Sequence, residues 1–247
     1  MISFVLPAYN EEANLPPLMH KIGETMAGVG RPYRVVAVND GSRDGTARVL
    51  AELAAAYPVE VVVHEVNLGL PRTMVDGLKR AAVGAGAEDI VITMDADNSH
   101  EPRYVPAMVA ALEKGYDVVI ASRYRPGAKE VGLSWERSVM SRAVNLMLAV
   151  LFPIPGVRDY TCGYRAYRAQ VLQGMFSHYG ERLVESTTFS AMAELLLKAG
   201  MLGARMTEVP LVLRYDQKAG TSKMKVLRTI LDYLRLMAVL RLRGRRA

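Results

Sequence analysis

The sequence predicts an α/β fold: a mostly parallel sheet with helices on both faces, plus C-terminal amphipathic surface helices. Three observations lead there. Apolar runs of strand length recur through the first half of the chain and alternate with segments of helical periodicity. Alternation at this spacing is the pattern of βαβ units, whose crossovers lay helices over a parallel, doubly wound sheet. Each run also stops at a cluster of polar residues, as strands do where they reach the carboxyl rim on which ligands gather. With 247 residues, 51% hydrophobic and 23% charged, the chain can bury a full core and is not disordered.

Residues 2–8 read as a buried strand ending in Pro7-Ala8-Tyr9-Asn10-Glu11-Glu12, with Asn10 expected to cap a helix running to about Met26. Residues 34–38 form the second strand, stopped by Asn39-Asp40-Gly41-Ser42-Arg43-Asp44-Gly45-Thr46. Asp44 is expected to cap the next helix, which leaves Asp40 at a strand end with no helix to serve. The third strand is 59–64, followed by Asn67-Leu68-Gly69-Leu70 and a helix from Pro71. The fourth, 90–94, runs into Asp95-Ala96-Asp97-Asn98-Ser99. A helix over 102–114 then leads to a fifth strand, 118–121, closed by Ser122-Arg123.

The fourth strand carries the chemistry. Asp is depleted inside strands, so Asp95 and Asp97 belong where the chain turns outward. Two converging carboxylates repel unless a cation lies between them, and an oxygen-only set suits Mg²⁺ or Mn²⁺. The structural alternative is that Asp97 or Asn98 caps the following helix. Tyr9, Asp40, Asp95, Asp97 and Arg123 all fall on one rim by this reading. Neither a Gly-rich dinucleotide turn nor a Gly-Lys-Ser/Thr phosphate loop follows the first strand. Phosphates are therefore expected on a metal at the acid pair, with Arg123 nearby.

Within 134–152, Ser134, Arg137, Ser138, Ser141, Arg142 and Asn145 share one helical face, opposite Val139, Ala143, Leu146 and Val150. That stripe suits a phosphate or a solvated surface, and the apolar end beyond it is buried or dipped into a membrane interface. Asp159 to Arg168 reads as a turn rich in aromatics and arginines. Cys162, the only cysteine, rules out an internal disulfide and reads as a small buried residue. The histidines (His20, His64, His100, His178) lack metal spacing and receive no role. Residues 186–199 read as a helix and 206–214 as a strand that Pro210 confines to an edge or end. A polar loop, Tyr215 to Lys223, follows. From Met224 an apolar stripe (Leu227, Ile230, Leu231, Leu234, Met237, Ala238) passes into an acid-free arginine end, Arg235, Arg241, Arg243, Arg245 and Arg246. The chain's net charge of +6 is thus unevenly placed, and such a basic end suggests anionic lipid or a polyanion, or simply a solvated tail. No basic leader opens the chain, and no apolar run approaches the ~20 residues of a membrane crossing, so neither a signal peptide nor a span is expected.

Pro7-Ala8-Tyr9-Asn10-Glu11-Glu12, Asn39-Asp40-Gly41-Ser42, Asn67-Leu68-Gly69, Asp95-Ala96-Asp97, Ala121-Ser122-Arg123-Tyr124, Asp159-Tyr160-Thr161-Cys162-Gly163-Tyr164-Arg165 and Glu208-Val209-Pro210 with Gly220-Thr221-Ser222-Lys223 occur in that order. With them the chain resembles, nearly end to end, the family 2 inverting glycosyltransferases of the GT-A (Rossmann-like) fold. Within these it looks most like the dolichol-phosphate (polyprenyl-phosphate) mannosyltransferases. The resemblance implies a catalytic domain over 1–222 and an amphipathic basic helix and tail over 223–247. It implies that Pro7, Tyr9, Glu11, Val38 and Asp40 hold the nucleoside, and that Asp95 and Ala96 line the nucleotide site. Asp97 would bind Mg²⁺ or Mn²⁺ with the diphosphate, with Ser99 at a second metal-contact position. Arg123 would contact the donor phosphate, Arg137 and Ser141 the acceptor phosphate, and Lys223 would come from a closing loop. Where the family usually has an Arg six residues before that lysine, this chain has Gln217, leaving Arg214 or Lys218 to supply the charge.

The implied partners are a nucleotide-sugar donor, a polyprenyl-phosphate acceptor, a membrane surface and a membrane-protein recruiter; no nucleic acid is expected. The implied location is cytoplasmic and peripheral to a membrane. A lipid monophosphate, with a second pKa near ~6, is already largely a dianion and needs no general base, unlike a sugar hydroxyl. Glu185 is the one candidate base in the right region. The alternatives are UDP-glucose or another nucleotide sugar as donor, a soluble sugar or protein acceptor, and a non-catalytic nucleotide-sugar-binding scaffold.

Overall fold

A computed structural model of the chain describes residues 1–217 and 226–243. In order its elements are β1 (Ile2–Ala8), α1 (Leu15–Val29), β2 (Tyr33–Asp40), α2 (Thr46–Ala56), β3 (Val59–His64), α3 (Leu70–Ala82), β4 (Ile90–Thr93), α4 (Val105–Glu113), β5 (Val118–Ser122), β6 (Lys129–Val131), α5 (Trp135–Leu151), β7 (Arg165–Arg168), α6 (Ala169–Tyr179), α7 (Ala191–Met201), β8 (Met206–Pro210), β9 (Val212–Arg214) and α8 (Val226–Arg243). The main sheet has the order β3-β2-β1-β4-β7-β5-β8, and β6 pairs with β9 apart from it. Its pairings are parallel except those of β7, which runs antiparallel to both β4 and β5.

Covering on both faces explains the continuous apolar runs. Phe4, Leu6, Val36, Ile92 and Val119 are fully buried. One set of helices packs as α1 with α2 and α4; in another α3 packs on α6, which in turn packs on α7. Gly77 lets α3 lie directly on the sheet: a Cβ there would come within 2.5 Å of Val5 Cγ1 and 3.0 Å of Val38 Cγ2. Among the described residues no helix is long and apolar enough to cross a membrane.

Four expectations need correction. Asn10 does not cap α1; the helix begins at Leu15 behind Asn14, and its two prolines occupy the first turn, where no intrahelical N–H is lost. Asn10 instead takes a left-handed conformation, φ 54°, and accepts from the Arg43 N–H at 2.8 Å. The helix expected over 186–199 starts at Ala191, because the N–H groups of Ser186 and Thr187 are taken by the carboxylates of Glu194 and Asp232. The strand expected over 206–214 divides after Pro210, and the N–H of Leu211 donates to Ser122 O at 2.9 Å. The expected turn 159–168 ends in a strand, β7. Its pattern was hidden by Arg165, a fully buried guanidinium that donates to Tyr160 O and Met192 O.

Candidate active site

The ends of β1, β2, β4 and β5 open onto a cavity of about 680 Å³. Pro7, Tyr9, Glu11, Asp40, Asp95, Ala96, Asp97, Arg123, Arg137 and Ser141 all line it, so most of the residues expected from sequence meet in one place. Val38 does not: it is fully buried under α3, and the chain reaches the cavity only two residues later, at Asp40. Lys223, Lys218 and the Gly220-Thr221-Ser222 stretch lie outside the described residues. Gln217 accepts from Lys21 Nζ at 3.4 Å, and Arg214 is held by Asp216 at 2.9 and 2.8 Å; neither lines the cavity.

The acid pair sits on a fixed turn. Asn98 adopts φ 62°, a region Asn tolerates, and its side-chain amide donates to Asn14 O at 2.8 Å. The Asp95 N–H donates to His100 Nδ1 at 3.0 Å, and the His100 ring stacks on Tyr164 with centroids 5.1 Å apart. Asp95 is 40% exposed at its side chain, whereas Asp97 is buried. Ser99 also departs from expectation. It does not line the cavity; its N–H and hydroxyl donate to Asp97 Oδ1 at 3.1 and 2.6 Å, which fixes the carboxylate from behind.

Asp40, assigned no helix from sequence, holds the loop before α3. It accepts from the N–H groups of Leu68 and Gly69, each at 2.9 Å, and lies 2.8 Å from His64 Nδ1. His64 Nε2 in turn faces Asp76 at 3.1 Å. Gly41 permits this close approach: at φ 64° any Cβ would collide with the backbone of Val66.

Arg123 is not a free cation. Its guanidinium donates through Nε and Nη2 to both oxygens of Asp159 (2.8 and 2.7 Å) and to Thr161 Oγ1 at 2.6 Å, with Glu130 at 3.7 Å. Burial alone would lower the Arg123 pKa, but the Asp159 charge outweighs it and holds the guanidinium above its ordinary range. Burial would likewise raise the Asp159 carboxyl, yet Arg123 and two N–H donors keep it below the usual carboxylate range. Cys162, inside this knot, is pushed up to about 12, by burial first and then by Asp159, so it is no nucleophile.

The expected α5 stripe divides. Arg137 and Ser141 face the cavity, and Ser138 donates to Glu130 at 2.7 Å. Asn145 is buried, bonding Thr161 and the Tyr160 N–H, while Arg142 points to a separate hollow. Phe189, Tyr215 and, from α8, Thr229, Ile230 and Tyr233 complete the wall. Nothing in the sequence marks them as wall residues, because an apolar helical stripe does not show which neighbour it covers.

Asp95 and Asp97 give an all-oxygen set, the chemistry of Mg²⁺ or Mn²⁺, which take one or two carboxylates and complete their shell from phosphates and water. Among the described residues no group of three or more His, Cys, Asp or Glu could hold an ion. The residues therefore fit such an ion only together with a substrate diphosphate.

A mostly parallel sheet with an acid pair at its carboxyl rim, beside this cavity, is the GT-A architecture. Solved structures agree on the fold: glucosyl-3-phosphoglycerate synthase from Mycobacterium tuberculosis with Mn²⁺, uridine diphosphate and glucosyl-3-phosphoglycerate gives a TM-score of 0.65 at 23% identity, over 97% of this chain and 78% of that one. The same protein with Mg²⁺ and uridine diphosphate gives 0.64 at 23%, over 97% and 78%. The model of glycosyl transferase family 2 matches residues 3–176, and the chain belongs to that family. It is 33% identical over 228 residues to the polyprenol monophosphomannose synthase of Mycolicibacterium smegmatis, covering 89% of this chain and 79% of that protein. It is 30% identical over 235 residues to the dolichol-phosphate mannosyltransferase of Pyrococcus furiosus, covering 95% of this chain but only 62% of that protein's length.

Proposed function

We propose that the chain transfers a hexose, mannose from GDP-mannose, with inversion to a polyprenyl or dolichyl monophosphate at the cytoplasmic surface of a membrane. One observation carries this reading. The carboxylates of the cavity (Glu11, Asp40, Asp95, Asp97) come from the sheet's rim and its first loop, whereas the side built by α5, Thr161, Phe189 and α8 has no Asp or Glu among its described lining residues. A sugar hydroxyl attacking from that side would want a carboxylate base. A phosphate monoester would not, and a carboxylate there would repel it. Glu185 does not line the cavity, and it lies 3.6 Å from Lys198 Nζ. The names of the two relatives support the same acceptor class.

In this reading Pro7, Tyr9, Glu11, Asp40, Asp95 and Ala96 hold the nucleotide. Asp97, with Asp95 beside it, would hold Mg²⁺ or Mn²⁺, which supplies neutralisation of the charge growing on the departing diphosphate. Arg123, held on Asp159, lines the cavity with a guanidinium in place of a bare carboxylate. Arg137 pairs with the acceptor phosphate. Ser141 donates to the same phosphate, its hydroxyl positioned by Tyr124 Oη at 3.0 Å. Lys223 would close the site from outside the described residues, and a membrane protein could add to recruitment.

A second reading, a uridine donor, is favoured by Asp40. A carboxylate offers about four acceptor positions; the N–H groups of Leu68 and Gly69 take two of them, and His64 Nδ1, at 2.8 Å, occupies the place of a third. One remaining position suits a base with a single edge N–H better than the paired N–H groups of guanine. Transfer assays with GDP-mannose, UDP-glucose and other donors onto polyprenyl phosphate separate the two. Turnover with UDP-sugars alone would move the donor assignment, and no transfer to polyprenyl phosphate from any donor would overturn the proposal. Full turnover by Asp97→Ala would overturn its chemistry.

A further inference from the structure

A second hollow, of about 240 Å³, lies against the outer side of α5, walled by Tyr124, Arg142, Leu146, Ala149, Val157 and Arg158. Hydrogen bonds join its walls to those of the main cavity. Tyr124 Oη is 3.0 Å from Ser141 Oγ, and Asn145, which also borders the hollow, donates to Thr161 Oγ1 at 3.0 Å. Arg142 and Arg158 are exposed, and among the described residues neither guanidinium has an ion-pair or hydrogen-bond partner. Glu208, the carboxylate that the Arg158 backbone meets, is taken: it accepts from the N–H groups of Arg158 and Asp159 and lies 2.9 Å from Arg125 Nε. Two unpaired arginines beside an apolar floor form a site for an anion attached to something apolar.

The surroundings identify that attachment. Trp135, Val139, Arg142, Leu146 and Val150 follow one another at three- and four-residue steps and share a helix face, so Arg142 stands with these apolar residues and not on the Arg137 and Ser141 face expected from the sequence. The apolar members are open to solvent: Trp135 is 73% exposed, Val139 55%, Leu146 65% and Val150 70%. Leu231, Leu234 and Leu242 are likewise exposed on α8, whose Arg241 reaches Leu151 O at the end of α5. A soluble anion gains nothing from such a ridge. A bilayer interface matches both parts, with an aromatic at headgroup depth, aliphatic side chains below it, and arginines at the phosphates.

We propose that this hollow is a binding site for the phosphate of an anionic phospholipid headgroup, held between Arg142 and Arg158 while the α5 ridge enters the interface. It is distinct from the acceptor-phosphate position at Arg137 and Ser141. It rests on the membrane-surface part of the reading above and not on the donor or acceptor. Because Tyr124 walls the hollow and touches Ser141, a bound headgroup would also steady the hydroxyl on the cavity side.

Trp135 is the only tryptophan, so its emission reports on this ridge alone. The full chain is mixed with phosphatidylcholine vesicles with or without phosphatidylglycerol, and sedimentation and Trp135 emission are followed. The expected result is co-sedimentation with a blue shift only when phosphatidylglycerol is present. Arg142→Ala/Arg158→Ala should lower partitioning roughly 30-fold. Arg31→Ala/Arg48→Ala, which removes equal charge from residues paired with Glu113 and Glu52, should leave it unchanged. Unchanged binding by the first variant, equal loss in the second, or displacement by inorganic phosphate would overturn the proposal. So would binding without any change at Trp135. The vesicles contain no polyprenyl phosphate, so failure here leaves the acceptor reading standing, and failure in the transfer assay leaves this one.

Discussion

Ser99 shows how a short hydroxyl two residues beyond a carboxylate works from behind it. With its N–H and hydroxyl both on Asp97 Oδ1, the serine fixes the direction of the acid without touching the cavity. Outer groups of this kind typically change metal affinity by about 10- to 100-fold. Ser99→Ala should therefore weaken Mn²⁺ binding in the presence of GDP by that range, with the circular dichroism unchanged; calorimetric titration measures it. Asp95 and Asp97 were legible in the sequence because a carboxylate pair cannot lie inside a buried strand. The anchoring of Arg123 was not, since Asp159 lies 36 residues away in the chain. His100 was passed over for want of metal spacing, yet it accepts from the backbone of Asp95.

Among elements, α8 carries the largest difference between pattern and placement. Its apolar stripe predicted a helix and gave no sign of a cavity wall. Asp232 is the tie: one oxygen accepts from the N–H groups of Thr187 and Thr188 and from the hydroxyls of Thr188 and Ser190, at 2.5 to 3.0 Å. The bonded loop carries Phe189 to the cavity, and the same helix brings Thr229, Ile230 and Tyr233. Asp232→Ala should cost about 1.5–3 kcal/mol, the range for hydrogen bonds to a charged group. It should also raise the acceptor KM while leaving nucleotide binding intact, a division that steady-state kinetics and GDP titration resolve. The strands divide in the same way. β1 and β3 were read to the residue from their apolar runs, whereas β7 was hidden because Arg165 is buried by carbonyl partners that local sequence does not reveal.

For the molecule as a whole, acid should be the destabilising condition. Asp44, Asp89, Asp159 and Asp232 all have pKa values lowered by folding, against the opposing effect of burial. A depressed carboxyl stabilises the fold above its unfolded value of ~4, and that contribution is lost as pH falls through the folded value. Urea midpoints should therefore hold near neutral pH and fall below ~4. Asp159→Asn should be weaker at neutral pH, with Arg123 left buried beside a neutral amide, but should lose less on acidification. A midpoint that rises as acid is added would contradict this.

The antiparallel strand in the middle of the sheet has a consequence for how the chain is made. β4 and β5 do not pair with each other; each pairs with β7. Until the ribosome has released residue 168, the strand leading to the acid pair keeps one bare edge, with Ile90–Thr93 uncovered although every one of them ends buried. A nascent chain stopped after β5 would hold its first three strands in register and still be sticky along the fourth. Translation order thus leaves the acid-bearing rim unsealed until β7 emerges, and a holdase waiting at the exit tunnel would find its target there.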